Sequence, residues 1–114
     1  MPSSLPATEV ASLGLDHIYV ELFIRRLGEN FELRADLVQY DAFSGRYLRD
    51  EIGREVAADA DDAIEAACDL EWKADRALKV MDIDGGYKSP CAFGEAVERL
   101  FGAGYGSPYT VAAE

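Results

Sequence analysis

Two alternating runs around a tight turn fix most of what this chain can become. In residues 17–26, Ile18, Val20, Leu22 and Ile24 fall on one face of an extended segment, and Tyr19, Glu21, Phe23 and Arg25 on the other. After Gly28-Glu29-Asn30, residues 31–40 alternate again, with Phe31, Leu33, Ala35 and Leu37 set against Glu32, Arg34, Asp36 and Val38. Successive side chains of a strand point to opposite faces, so two such runs about a Gly/Asn turn read as an antiparallel hairpin. A second turn at Phe43-Ser44-Gly45 leads to a shorter third strand over residues 46–50, which completes a three-stranded meander.

The second face of this sheet is mixed, with Tyr19, Phe23, Val38 and Tyr40 among charges. Partial cover by the C-terminal region is the expectation; an apolar contact surface is the alternative. Arg25, Arg26, Arg34, Arg46, Arg49 and Arg54 lie on the sheet or its loops with acids between them. Cross-strand pairing is their expected role, and a small anion site is the other reading.

A long helix follows, from Asp59 to about Met81. Asp59 is placed to accept a hydrogen bond from a first-turn N–H, and Asp62 stands three residues later, as in a capping box. Asp61, Asp62 and Glu65 also suit the positive end of the helix dipole. At 100° per residue, Ala60, Ala63, Ile64, Ala67, Leu70, Ala74, Ala77, Leu78 and Met81 gather into one stripe. Most are alanines, which allow close approach but bury little area each. The charge is concentrated here: residues 55–75 hold eight acids and one base, Lys73, or −7 of the formal −11. The only tryptophan, Trp72, projects nearly opposite the stripe, among Asp61, Glu65, Asp69 and Arg76. Arg76, four residues on, is positioned to stack on its ring. Asp69–Lys73 and Asp75–Lys79 pairs are expected to offset the repulsion between Glu65 and Asp69.

Asp84-Gly85-Gly86 breaks the chain, and residues 79–84 read either as the helix end or as a short fourth strand. Ser89-Pro90 then opens a shorter helix with an apolar stripe of Phe93, Ala96, Val97, Leu100 and Phe101, stopped at Gly102. The expected fold class is α+β: a three-stranded antiparallel meander packed by a long Ala-rich acidic helix and a shorter C-terminal helix. Residues 1–12 read as a flexible arm with a helical turn near residues 8–12, residues 13–104 as a single domain, and residues 105–114 as a tail. Tyr105 and Tyr109 are placed to tack that tail onto the sheet.

A chain of 114 residues that is 49% hydrophobic can bury its own core. A net charge of −11 disfavours direct binding to nucleic acid or to an anionic membrane, since both need clustered Lys and Arg. It attracts a basic protein and equally serves solubility. No apolar run approaches the roughly 20 residues of a membrane-spanning helix. The opening MPSSLPATEV has neither a basic nor an apolar leader region, so a cytoplasmic location is expected, with Cys68 and Cys91 as reduced core thiols.

Catalysis by a nucleophile needs a base and an orienting group, and the single histidine, His17, has no obvious partner. Asp59, Asp61 and Asp62 lack the glycine and distal glutamate of a calcium loop. The glycines at 102–106 follow a helix rather than open one, so they read as a stop and not a phosphate loop. No enzyme activity, metal or cofactor is expected.

The strand–strand–strand–helix order, with Gly53-Arg54-Glu55-Val56 leading into the helix that starts at Asp59, resembles the small antitoxin domains of the HicB class over residues 17–80. The resemblance is one of chain order, which does not transfer function. The leading functional expectation is a non-enzymatic module that docks on a basic protein, such as a member of a nucleic-acid-handling complex, through Asp61, Asp62, Glu65, Asp69, Trp72 and Arg76. One concrete form is an inhibitor that mimics nucleic-acid charge, as small anti-defence proteins do. Two readings stay open beside it. One is an antitoxin-like or homo-oligomeric protein that dimerises through the sheet's second face or its edge. The other is a small-ligand carrier or enzyme accessory domain with a pocket near Tyr47, Tyr87 or Tyr105.

Overall fold

The computed structural model describes residues 8–81 and 92–105. Four strands, β1 (Thr8–Leu15), β2 (Ile18–Leu27), β3 (Asn30–Asp41) and β4 (Arg46–Ala57), form an antiparallel sheet in the order β1-β2-β3-β4. Two helices, α1 (Ala60–Val80) and α2 (Ala92–Gly102), follow. The fold is α+β, as the alternation implies.

The meander is present, with Ile24 opposite Leu33 and Leu37 opposite Asp50. Its fourth strand comes from the N-terminal side. Residues 8–12, expected as part of an arm with a helical turn, belong to β1, which pairs with β2 from Thr8↔Ile24 to Leu15↔Ile18. The Ser/Ala-rich composition hid it, because an edge strand needs only one partner and a half-apolar face. The third predicted strand also runs seven residues further, to Ala57. A bulge around Ile52 breaks its period, and its charges are satisfied by cross-strand partners rather than by solvent alone.

Both helices lie on one face. Val20, Leu22, Ile24, Leu33, Ala35 and Leu37 from the sheet meet Ala63, Ala67, Leu70, Ala74 and Leu78 of α1 and Phe93 and Val97 of α2, all buried. The predicted α1 stripe is correct at its centre. Ala66, Glu71 and Asp75 are buried as well, whereas Met81 caps the helix and is exposed. Asp59 is the N-cap: its carboxylate accepts the Asp62 N–H at 2.9 Å, and the Asp62 carboxylate accepts the Ala58 N–H at 3.4 Å. Lys79 and Val80 are helical, so the strand alternative fails there; residues 82–84, Ser89, Pro90 and Cys91 lie outside the described residues.

α2 ends at Gly102, as expected, but the left-handed glycine that closes it is Gly104, two residues on. Gly104, at φ 105°, takes the conformation past the helix end that favours glycine. Its N–H donates to the Phe101 carbonyl, and the Tyr105 N–H donates to the Leu100 carbonyl. That turn lays Tyr105 against Phe31 and Phe101, whose ring centres are 5.9 and 5.5 Å from its own. The described C-terminal residues therefore cover the helix side of the sheet. Among the described residues no helix lies on the other face; Tyr109 lies outside them.

Candidate functional site

The acidic helix is where the sequence concentrates charge, but its acids have different work. Asp59 caps α1, and Asp62 reaches back to the Ala58 N–H, one residue before the cap. Glu55 is 3.7 Å from Lys73, and Asp75 is 3.0 Å from Lys79. Glu71 is buried and accepts the Phe93 N–H at 2.6 Å. Asp61, Glu65 and Asp69 are left. They are exposed, spaced four residues apart, and make no ion pair with any described residue. Lys73, expected beside Asp69, turns to the sheet instead, where Glu55 of β4 lies under α1. The Asp75–Lys79 pair forms as expected.

Trp72 is 68% exposed and lies three residues past Asp69 on this outer face. A large indole in water, on a helix whose opposite side is fully packed, is the aromatic component the spacing implied. Arg76 is exposed but does not stack on it; the cation–π contacts of the described residues are Arg26 on Phe31 and Arg34 and Arg49 on Phe23. Such a contact is worth only about 0.5–1 kcal/mol when exposed, which fails to hold two solvated side chains together. The structure thus brings Asp61, Glu65, Asp69 and Trp72 onto one outer face, with Arg76 one turn beyond the tryptophan and Asp62 turned toward the cap.

Like-charged neighbours four residues apart destabilise a helix by roughly 0.2–0.5 kcal/mol each. Without an ion pair to any described residue, Asp61, Glu65 and Asp69 form a line of negative charge that a basic surface would relieve. Successive members rise about 6 Å along the axis.

The open face of the sheet carries the second assembly of charge, and here Arg25, Arg49 and Arg54 pair across strands as expected, whereas Arg34 pairs within β3 and Arg46 makes no ion pair with a described residue. Glu32 is held by Arg25 at 2.7 Å and Arg54 at 3.0 Å. Arg49 reaches Glu21 at 2.5 Å and Asp36 at 3.5 Å, and Arg34 meets Asp36 at 3.1 Å. Burial alone would raise the Glu32 carboxyl; the two guanidiniums outweigh it and hold it below its ordinary value. Glu9 is pushed up, first by a hydrogen bond shared with Glu21, then by burial and the like charge. Glu21, Glu32 and Asp36 are buried under this lattice although no described helix covers it. Sequence reading found the arginines but not the depth of their partners, which only the register reveals.

Of the expected pocket residues, Tyr105 lines an open depression of about 470 Å³ with Arg26, Phe31 and Phe101. Tyr47 is on the opposite face, stacked edge-on with Tyr40 at 5.3 Å, and Tyr87 lies outside the described residues. His17 is exposed in the β1–β2 turn, where its carbonyl accepts the Tyr40 N–H. No helix among the described residues is long and apolar enough to cross a membrane. Comparison with protein-family models, with curated proteins and with solved structures finds no match for this chain.

Proposed function

We propose that this protein is a small non-enzymatic binding module, in a cytoplasmic setting, whose α1 presents Asp61, Glu65, Asp69 and Trp72 to a basic protein partner. The observation that carries this reading is the exposure of Trp72 beside carboxylates that make no ion pair with any described residue. Trp is the residue type most enriched at the energetic centres of protein interfaces. Opposite charge steers the encounter and selects the partner. A concrete form is an inhibitor that fills a nucleic-acid-binding groove, with the α1 carboxylates standing where phosphates would. The anti-defence inhibitors of phages are proteins of this kind.

Affinity capture from cells in which the protein acts tests the reading. The wild type is run beside a Trp72→Ala, Glu65→Lys, Asp69→Lys variant whose folding is checked by circular dichroism. The expected result is one basic protein retained by the wild type, released by rising salt, and lost from the variant. Retention unchanged by the substitutions would overturn it.

A further inference from the structure

We propose that two copies of this chain join through the outer edge of β4, about a two-fold axis at Leu48, to make one continuous antiparallel sheet. The two sheet edges differ. β1 is interrupted by a bulge between Glu9 and Ala11 and by Gly14 at φ 131°. Bulges are a usual means of closing an edge to further strands. β4 has its only irregularity near Ile52, so residues 46–51 form a regular run, and all six are exposed. Its outer row of backbone N–H and C=O groups meets no other described strand.

Charge on an edge strand normally blocks pairing. Here the charges are of both signs and match themselves when the strand is reversed. A two-fold at Leu48 sets Arg46 opposite Asp50 of the second copy, Tyr47 opposite Arg49, and Leu48 opposite itself. The β3–β4 register places Arg46, Leu48 and Asp50 on one face, opposite Asp41, Gln39 and Leu37, and Tyr47 and Arg49 on the other, opposite Tyr40 and Val38. Each contact therefore joins side chains on the same face, as a continuous sheet requires. Opposite charges directly across strands stabilise a sheet, and like charges destabilise it. Moving the axis one residue on, to Arg49, sets that arginine against itself and Leu48 against Asp50. Moving it to Asp50 sets Asp50 against itself and Arg46 against Arg54. Register at Leu48 is the one that satisfies the charges.

Two further observations agree. Arg46 and Asp50 make no ion pair with any described residue, although Arg25, Arg34, Arg49 and Arg54 all do. Leu48 and Tyr47 are 51% and 55% exposed, and Phe43, in the neighbouring β3–β4 turn, is wholly so. An interface with matching patches on both copies closes as a dimer and does not propagate. Because the matched run is short, association should depend on concentration over the range of an ordinary sedimentation experiment.

Sedimentation velocity across a concentration series tests this with two charge reversals. Arg46→Asp and Asp50→Arg change the net charge in opposite directions, so general repulsion between acidic chains predicts that the first weakens association and the second strengthens it. β4 pairing predicts that each alone weakens it tenfold or more. It also predicts that an equimolar mixture of the two single variants re-forms a dimer, and that the double variant self-associates like the wild type. A wild type that stays monomeric throughout, or single variants that associate as the wild type does, would overturn the proposal. Both positions are exposed and make no ion pair with any described residue, so melting curves should show both variants folded.

Discussion

Glu71 of α1 accepts a 2.6 Å hydrogen bond from the backbone N–H of Phe93, so one helix caps the other from within the core. Its second carboxylate oxygen is buried with no hydrogen-bond partner among the described residues. Burial pushes the Glu71 carboxyl above its ordinary value; the Phe93 N–H opposes this, and Asp75 and Glu95 add to it. Between the ordinary value and the raised one, the folded chain binds more protons than the unfolded chain. The Glu71 contribution to stability therefore falls as pH rises through that window. Glu71→Gln keeps an oxygen for the Phe93 N–H and removes the charge. It should stabilise the fold by about 1 kcal/mol near neutral pH, a gain that vanishes at acid pH. Paired thermal melts across pH check this; a loss of stability at neutral pH would contradict it.

Glu32 behaves in the opposite sense. Its carboxyl is held below the ordinary value, so its stabilisation is present above that value and is lost as pH falls through the depressed one. Removing it leaves the Arg25 and Arg54 guanidiniums without their shared acceptor. Glu32→Gln should cost about 2 kcal/mol at neutral pH, the scale of a hydrogen bond to a charged group. Urea unfolding at neutral and acid pH measures it, and the cost should shrink in acid.

Gly94 lets α2 lie against α1. A Cβ there would stand 2.6 Å from the Cys68 Sγ and 3.5 Å from Ile64. Gly94→Ala should therefore cost about 1–3 kcal/mol despite the better helix propensity of alanine. Cys68→Ala removes the clashing atom, so the double variant should be more stable than the two single effects sum to. Simple additivity in a double-mutant cycle would show that the contact is not the cause.

Trp72 is the only tryptophan, so its fluorescence reports on the α1 outer face alone. Exposure beside Asp69 predicts efficient quenching, with caesium more effective than iodide because the local potential is negative. Asp69→Lys with Glu65→Lys should reverse that order. Weak quenching by both ions would mean the indole is covered.

The sequence made the meander and both helices legible because period-two and period-3.6 patterns are local properties of the chain. β1 was not legible: residues 8–15 pair only with β2 and bury only Leu13. The extension of β4 was hidden for a related reason. Arg54 and Glu55 look like loop residues until register sets Arg54 near Glu32 and folding sets Lys73 near Glu55. On α1 the outer face was readable from charge and the one indole. The division among its acids was not, because Glu71 and Asp75 become buried only once α2 and the sheet are in place. Composition cannot distinguish an acid that caps a neighbouring helix from one that waits for a partner.

The most direct test of the α1 reading is photo-crosslinking in the cell. A crosslinking amino acid is placed at Asp69 in one variant and at Val56, exposed on the open sheet face, in another. The account predicts a crosslink from position 69 to one basic protein and none to that protein from position 56. A crosslink to it from position 56 alone, or none from position 69, would contradict the assignment of α1 as the binding face.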